Sequence, residues 1–313
     1  MYIAALGGFA LLFGGGEFLV RGAVAVSRRF GLSPLLIGMT VVAWCTSAPE
    51  LVVSLGAALQ GSSDIALGNV VGSNIFNILG VLGAAALIAP IVVKPAALRR
   101  DTSVMVASGL ALALVALTGG IGRPAGAVFL VAVVAYVWHS YRTELHTASP
   151  SAELHEHEGE EIRGPATLWV GIANLALGLG MLVIGSRLLI TGATDIARTF
   201  GVPEAVIGLS LVAVGTSLPE LATSVVAAVR GHSDVAVGNV VGSNIFNVLG
   251  ILGITSLVRP IDVTGQIASL DVWVALGVSL AATALLLVRG RIGRMAGGVF
   301  VAAYVAYLAV LFV

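Results

Sequence analysis

The chain has one cysteine, one lysine, few aromatic residues and little charge. A single thiol, Cys45, can close no internal disulfide, so cysteine usage leaves the redox compartment unread. Sixteen basic residues balance sixteen acidic ones, and a formal net charge of zero gives no overall field to attract nucleic acid. Charged side chains make up only 10% of 313 residues, which leaves little room for a soluble globular fold or for intrinsic disorder.

Apolar sequence fills the space, with 58% hydrophobic residues and 40 glycines. A bilayer core of about 30 Å takes roughly 20 apolar helical residues, and runs of that size recur at 2–24, 34–60, 64–88, 100–118, 122–141, 166–192, 203–230, 234–258, 268–288 and 292–313. Continuous rather than alternating apolarity favours helices over barrel strands. The first run carries Glu17 and has no small-residue cleavage site after a basic start, so it reads as a retained span rather than a signal peptide.

Internal repetition organises these runs. Residues 64–83 read DIALGNVVGSNIFNILGVLG and residues 234–253 read DVAVGNVVGSNIFNVLGILG, sixteen matches in twenty with four aliphatic exchanges. The same offset of 170 relates Thr46, Ser47, Pro49 and Glu50 to Thr216, Ser217, Pro219 and Glu220, Gly38 to Gly208, and Pro90 to Pro260. The expected fold is therefore an all-α membrane protein of ten transmembrane helices in two five-helix repeats, 1–138 and 166–313. An acidic, histidine-containing linker, 139–165, joins them. Five spans per half is an odd number, so the second copy enters with opposite orientation and the repeats are inverted. Counting Lys and Arg near helix ends places twelve toward the cytoplasm and four outside if both termini face outward, which puts the linker inside.

Glu50 and Glu220 are the clearest functional candidates, because a carboxylate in hydrocarbon costs several kcal/mol unless paired, hydrated or neutralised. Each follows a proline that frees the carbonyl four residues back, at Cys45 and Gly215. Hydroxyls, freed carbonyls and a carboxylate within five residues make an oxygen-rich cluster suited to hard cations. The bland alternative, a proline kink with Ser and Thr bonding back to the chain, does not require Glu at the same place in both copies.

The second motif places Asn69, Ser73 and Asn77 four apart on one helical face, with Gly72 and Gly242 allowing another helix close. Ligation is preferred for Ser73, Asn77, Ser243 and Asn247. Asn69, Asn239, Asn74 and Asn244 stay open between lining a site and interhelical hydrogen bonding. Two carboxylates about 6 Å apart at an effective dielectric of about 20 repel by roughly 2.8 kcal/mol. Such a site needs a divalent cation, several monovalent cations or protons, and competition among them is the physical basis of exchange.

The paired segments AWCTSAPE with GNVVGSNIFN, and AVGTSLPE with its twin, resemble the two α-repeats of the cation/calcium exchanger superfamily, closest to its sodium/calcium exchanger branch. The resemblance covers nearly the whole chain. It implies calcium held by Glu50 and Glu220 with the carbonyls of Thr46 and Thr216. It implies sodium held by Ser47, Ser73, Ser217, Ser243, the carbonyls of Ala43 and Ala213, and the same glutamates, with Asn77 and Asn247 completing the middle. It further implies exchange of three Na⁺ for one Ca²⁺, with the first and sixth helices sliding as a gating pair. Na⁺ and Ca²⁺ would be cargo in a cell (inner) membrane, with no resident cofactor, no required protein partner and no enzymatic activity.

Two positions depart from the pattern: Cys45 stands where the second copy has Gly215, and Asn247 stands where potassium-dependent relatives carry Asp. The alternatives are a Ca²⁺/H⁺ antiporter on the same glutamates, an intramembrane hydrolase, for which no His or Lys lies mid-membrane, and a channel. Glu17 and Arg187, equivalent positions of opposite charge, are expected to pair or to snorkel. Asp64, Asp101, Asp234 and Asp271 are expected to cap or complement helix starts, and the His155–Glu158 run reads as solvated loop rather than a metal site.

Overall fold

The computed structural model describes residues 1–29, 43–93, 95–146, 167–229, 231 and 233–312. Part of the expected second span, most of the linker, and Gly38, Lys94, Arg163 and Arg230 lie outside the described residues. The elements that position the site are α1 (Tyr2–Arg29), α2 (Ala43–Thr46), α3 (Ala48–Gln60), α4 (Ser63–Phe76), which a π-helical turn Asn77–Leu82 joins to α5 (Gly83–Ile88), α6 (Pro95–Ala116) and α7 (Arg123–His146). The second half repeats the order with α8 (Leu168–Phe200), α9 (Glu204–Ile207), a π turn Gly208–Val212, α10 (Ala213–Thr216), α11 (Leu218–Val229), α12 (Ser233–Phe246), a π turn Asn247–Ile251, α13 (Leu252–Val258), α14 (Val272–Arg289) and α15 (Arg294–Leu311).

Seven single helices among the described residues are long and apolar enough to cross a membrane, and the bent pair Glu204–Thr216 and Leu218–Val229 makes an eighth. The ten expected spans are thus not all represented. The 34–60 run is only partly described, and the 100–118 run appears as α6, which carries Arg99, Arg100 and Asp101 in its first turns.

The two helices bearing the GNVVGSNIFN motif form the centre: their most apolar stretches are 83% buried, against 28% for α1 and 22% for α8. Their polar residues are buried as well, Asn69, Ser73, Asn74 and Asn77 on one and Ser243, Asn244 and Asn247 on the other, so the polar stripes face protein. Their ends follow from proline. Ala89 and Arg259, each before a proline, are extended (φ −134° and −141°), as steric clash with the following ring requires. The chain then forms two short antiparallel ribbons, β1 (Ile91–Val92) with β4 (Arg291–Ile292) and β2 (Gly120–Ile121) with β3 (Ile261–Asp262). Each ribbon joins a loop of one half to a loop of the other, with Ile91, Ile121, Ile261 and Ile292 buried. The all-helical expectation did not include them.

α1 and α8 pack antiparallel along a ladder of glycines seven residues apart, Gly8, Gly15 and Gly22 against Gly185, Gly178 and Gly171. A Cβ would lie 2.7 Å from Leu189 N at Gly8, 2.9 Å from Gly178 O at Gly15 and 2.7 Å from Gly171 O at Gly22. Backbone meets backbone here, which only glycine permits.

Two expectations are corrected. Glu17 pairs with Arg21 of its own helix at 2.5 Å, both more than half exposed, rather than with Arg187, because four residues make one helical turn. Asp101 and Asp271 do not cap helices through their side chains. They accept hydrogen bonds from Tyr136 (3.0 Å) and Tyr307 (2.9 Å), which reach across from α7 and α15, and Asp101 also pairs with Arg100. Gly72 does admit a neighbour, since a Cβ there would lie 2.5 Å from Leu209 O; the residues equivalent to its neighbours Leu209 and Ala213 are Met39 and Ala43, so the expectation for Gly242 falls on Met39 and the Ala43 side chain, outside the description. Asp64 does stand in the first turn of α4, and the Asp234 side chain lies outside the description.

Candidate ion-binding site

The site is built on two broken helices. Ser47 (φ −87°, ψ 9°) and Ser217 (φ −89°, ψ 11°) leave helical geometry in the same way, each one residue before the residue that precedes proline. The break stops α2 and α10 and starts α3 and α11. A helix C-terminus presents unpaired carbonyls and partial negative charge, whereas an N-terminus presents N–H groups and partial positive charge. Thr46 and Thr216 therefore end segments whose carbonyls favour a cation, while Glu50 and Glu220 sit in first turns that favour their charge.

Both carboxylates are buried, at 0% and 1% exposure, and they are tied crosswise. The Ser217 hydroxyl donates to Glu50 Oε1 at 2.9 Å, and the Ser47 hydroxyl donates to Glu220 Oε1 at 3.5 Å. Each glutamate thus leans on the serine of the opposite half. Ser243 is a further hydroxyl neighbour of Glu220. Ser73 donates to the Ala213 carbonyl at 3.4 Å, bringing together two of the expected sodium ligands from different halves. The Thr216 hydroxyl oxygen lies 3.2 Å from the same carbonyl. The backbones of Ala43 and Thr46 lie in α2, and their side chains are outside the description.

Asn69 and Asn239, left open by sequence, hold the glutamate helices. Asn69 Nδ2 donates to Glu50 O (3.2 Å) and Ser54 Oγ (2.9 Å), and Asn239 Nδ2 donates to Glu220 O (3.3 Å) and Ser224 Oγ (2.9 Å). Asn69 Oδ1 accepts from the Thr216 hydroxyl at 3.0 Å, which ties that side chain to the scaffold. Sequence reading passed over Ser54 and Ser224, although the offset of 170 that marks the other pairs relates them too.

At the centre, Asn77 and Asn247 each open a π turn. Their nitrogens donate to Asn244 Oδ1 and Asn74 Oδ1, both at 3.0 Å. Nine buried side-chain oxygens among the described residues have no hydrogen-bond partner, and four of them belong to this site: Glu50 Oε2, Asn77 Oδ1, Glu220 Oε2 and Asn247 Oδ1. They form two equivalent pairs. A buried acceptor left without a donor costs about 1–3 kcal/mol, and more when charged, so each of the four is a candidate ligand for a cation.

Comparison with known proteins agrees with that chemistry. The family model described as sodium/calcium exchanger protein matches residues 1–142 and 170–313. The chain belongs to the sodium/calcium exchanger protein family. Among curated family members, CaxA of Alkalimonas amylolytica is 37% identical over 99% of this chain and 98% of its own length. The sodium/calcium exchanger MaX1 of Methanosarcina acetivorans is 32% identical over 99% of this chain and 98% of its own. The solved sodium-calcium exchanger NCX_Mj superposes with a TM-score of 0.67 at 31% identity, covering 98% of this chain and 96% of that one. This family member is an integral, multi-pass membrane transporter and not an enzyme.

Proposed function

We propose that the protein is a secondary-active antiporter exchanging Na⁺ for Ca²⁺, three for one, by alternating access. The observation that carries the reading is the paired set of donor-free buried oxygens on Glu50, Asn77, Glu220 and Asn247. Hard cations take oxygen ligands of this kind, Ca²⁺ six to eight of them. Two carboxylates supply two formal charges, matching one divalent ion, and the carbonyls of Thr46 and Thr216 extend the shell. Ser47, Ser73, Ser217 and Ser243, with the Ala43 and Ala213 carbonyls, provide neutral oxygens on either side for Na⁺. Because both ions draw on Glu50 and Glu220, occupancy by one opposes occupancy by the other.

The architecture follows the same reading: ten helices in two inverted five-helix halves, 1–138 and 166–313, about the cytoplasmic linker 139–165. Both termini are outside, in the cell (inner) membrane, and α1 and α8 are the sliding pair. The ions are cargo, and no resident cofactor enters. Flux in proteoliposomes tests the coupling. An outward Na⁺ gradient drives uptake of radioactive Ca²⁺ at fixed pH, with imposed K⁺ without effect. Uptake that follows only a pH gradient rejects sodium coupling in favour of Ca²⁺/H⁺ exchange.

A further inference from the structure

Asn74 and Asn244 hold each other across the centre of the molecule. Asn74 Nδ2 donates to the backbone carbonyl of Asn244 at 3.4 Å, and Asn244 Nδ2 donates to the backbone carbonyl of Asn74 at 3.1 Å. A peptide carbonyl can only accept. Each of these side-chain amides must therefore turn its nitrogen toward the opposite backbone, which leaves its own Oδ1 as an outward acceptor. Onto those acceptors fall Asn247 Nδ2, at 3.0 Å from Asn74 Oδ1, and Asn77 Nδ2, at 3.0 Å from Asn244 Oδ1. The polarity of the second pair is thereby decided: Asn77 and Asn247 commit their nitrogens and present Oδ1, each buried and without a donor. The deduction starts from backbone carbonyls, whose polarity is fixed, so it does not depend on telling amide oxygen from nitrogen.

We propose that Asn74 and Asn244 are positioning residues whose hydrogen bonds lock the amides of Asn247 and Asn77 with oxygen toward the ions, making the central cradle acceptor-only. This inference rests on the reading of Glu50, Glu220, Asn77 and Asn247 as cation ligands. The lock is needed because an amide is nearly isosteric about its flip, and the flipped form would turn an N–H₂ group onto the cation. The lock is also crossed, since Asn74 of the first half governs Asn247 of the second and Asn244 governs Asn77. All four side chains are at least nine-tenths buried, so water does not compete freely for these bonds, and in a low-dielectric interior such a network is stronger than its members alone.

A double-mutant cycle on the full chain tests the crossing. Ca²⁺ binding is measured calorimetrically on purified protein in nanodiscs, and the KM and kcat of Ca²⁺ flux in proteoliposomes. Asn74→Leu removes the acceptor for Asn247 but leaves the backbone carbonyl that orients Asn244. It is expected to weaken Ca²⁺ binding and raise KM roughly tenfold, the effect of one lost neutral ligand, with kcat little changed. Asn247→Ala does the same, and the pair Asn74→Leu/Asn247→Ala is no worse than Asn247→Ala alone. Asn74→Leu/Asn77→Ala multiplies the two single losses. A residue that merely packs would multiply with both partners alike, and that result, or an unchanged KM in Asn74→Leu, overturns the lock. Should Asn74→Leu not fold, Asn244→Leu runs the same cycle with Asn77 and Asn247 exchanged. If Asn77→Ala and Asn247→Ala both leave Ca²⁺ binding intact, the ligand reading fails and the lock falls with it. A defect in Asn77→Ala and Asn247→Ala but not in Asn74→Leu overturns the lock alone.

Discussion

The centre of the molecule and the α1/α8 pair are held by different forces. In the centre, amide hydrogen bonds join α4 and α12 with their π turns, and the hydroxyls of Ser47 and Ser217, at the helix breaks, donate to the carboxylates of Glu220 and Glu50 in the opposite half. Between α1 and α8 the contacts are glycine backbone on backbone, repeated every seven residues. A hydrogen-bond network has one satisfied geometry, so displacing it by a fraction of an ångström breaks named bonds. The glycine ladder fixes α1 to α8 at backbone contact, so on the proposed reading the two move as one unit against the centre. The first suits a cage for ions and the second suits a moving part, and each can be broken separately.

The largest effect is expected at the cage. Glu50→Gln and Glu220→Gln each remove one charge while keeping shape. At about 4 Å and an effective dielectric of about 20, one unit charge on another is worth roughly 4 kcal/mol. A divalent ion then loses on the order of a thousandfold or more in affinity, and Ca²⁺ exchange is abolished while insertion and folding persist. Normal flux in either variant would remove these residues from the site.

The pair is tested by Gly178→Leu, whose Cβ would stand 2.6 Å from Leu19 N. Overpacking of this kind costs about 1–3 kcal/mol. Turnover is expected to fall about tenfold or more, with calorimetric Ca²⁺ affinity changed less than about threefold. Gly180→Leu on the same helix, where nothing lies within 4 Å, is the control. If both variants lose affinity equally, the division between cage and moving part is wrong.

The two regions touch at Phe9. A Cβ on Gly215 would come within 1.6 Å of the Phe9 ring, so Gly215→Ala forces that ring to turn away from the broken helix. A loss of about 1–3 kcal/mol in thermal stability is expected. Phe9→Ala/Gly215→Ala should recover a good part of it, since contacting residues couple by about 0.5–3 kcal/mol. Additive losses would mean that the contact does not matter.

Sequence revealed the halves, the broken helices and the glutamates because each rests on a local signal: a repeat, a proline, a charge in an apolar run. It left Asn69 and Asn74 undecided between ligand and scaffold because that choice depends on which groups face them, and those come from 15 to 170 residues away. The π turns at Asn77 and Asn247 carry no distinctive composition, and a regular helix was the natural reading. The glycine ladder was present as a seven-residue spacing in residues 8–22 and 171–192, but spacing alone does not say which helix lies opposite. Glu17 pairs with Arg21 one turn away on its own helix, a partner that symmetry between the halves does not point to.

The smallest effect is expected at Cys45, whose counterpart is Gly215 while the breaks that follow, at Ser47 and Ser217, share one backbone geometry. Its thiol is buried, at 9% exposure, beside Trp44, whose ring meets Phe246 at 4.3 Å and 63°. The counterpart, Gly215, has its space filled by Phe9 instead, so the two broken helices are packed by different means around the same break. Cys45→Gly gives up about 1 kcal/mol of buried side chain and about 0.5–1 kcal/mol of backbone restriction, which thermal unfolding would register. The Ser47 geometry is already adopted beside a glycine in the other half, so Na⁺-driven Ca²⁺ flux should stay within about threefold of the parent, on the same order as a surface change. Complete loss of flux with a folded protein would place the thiol itself among the groups that the ions meet.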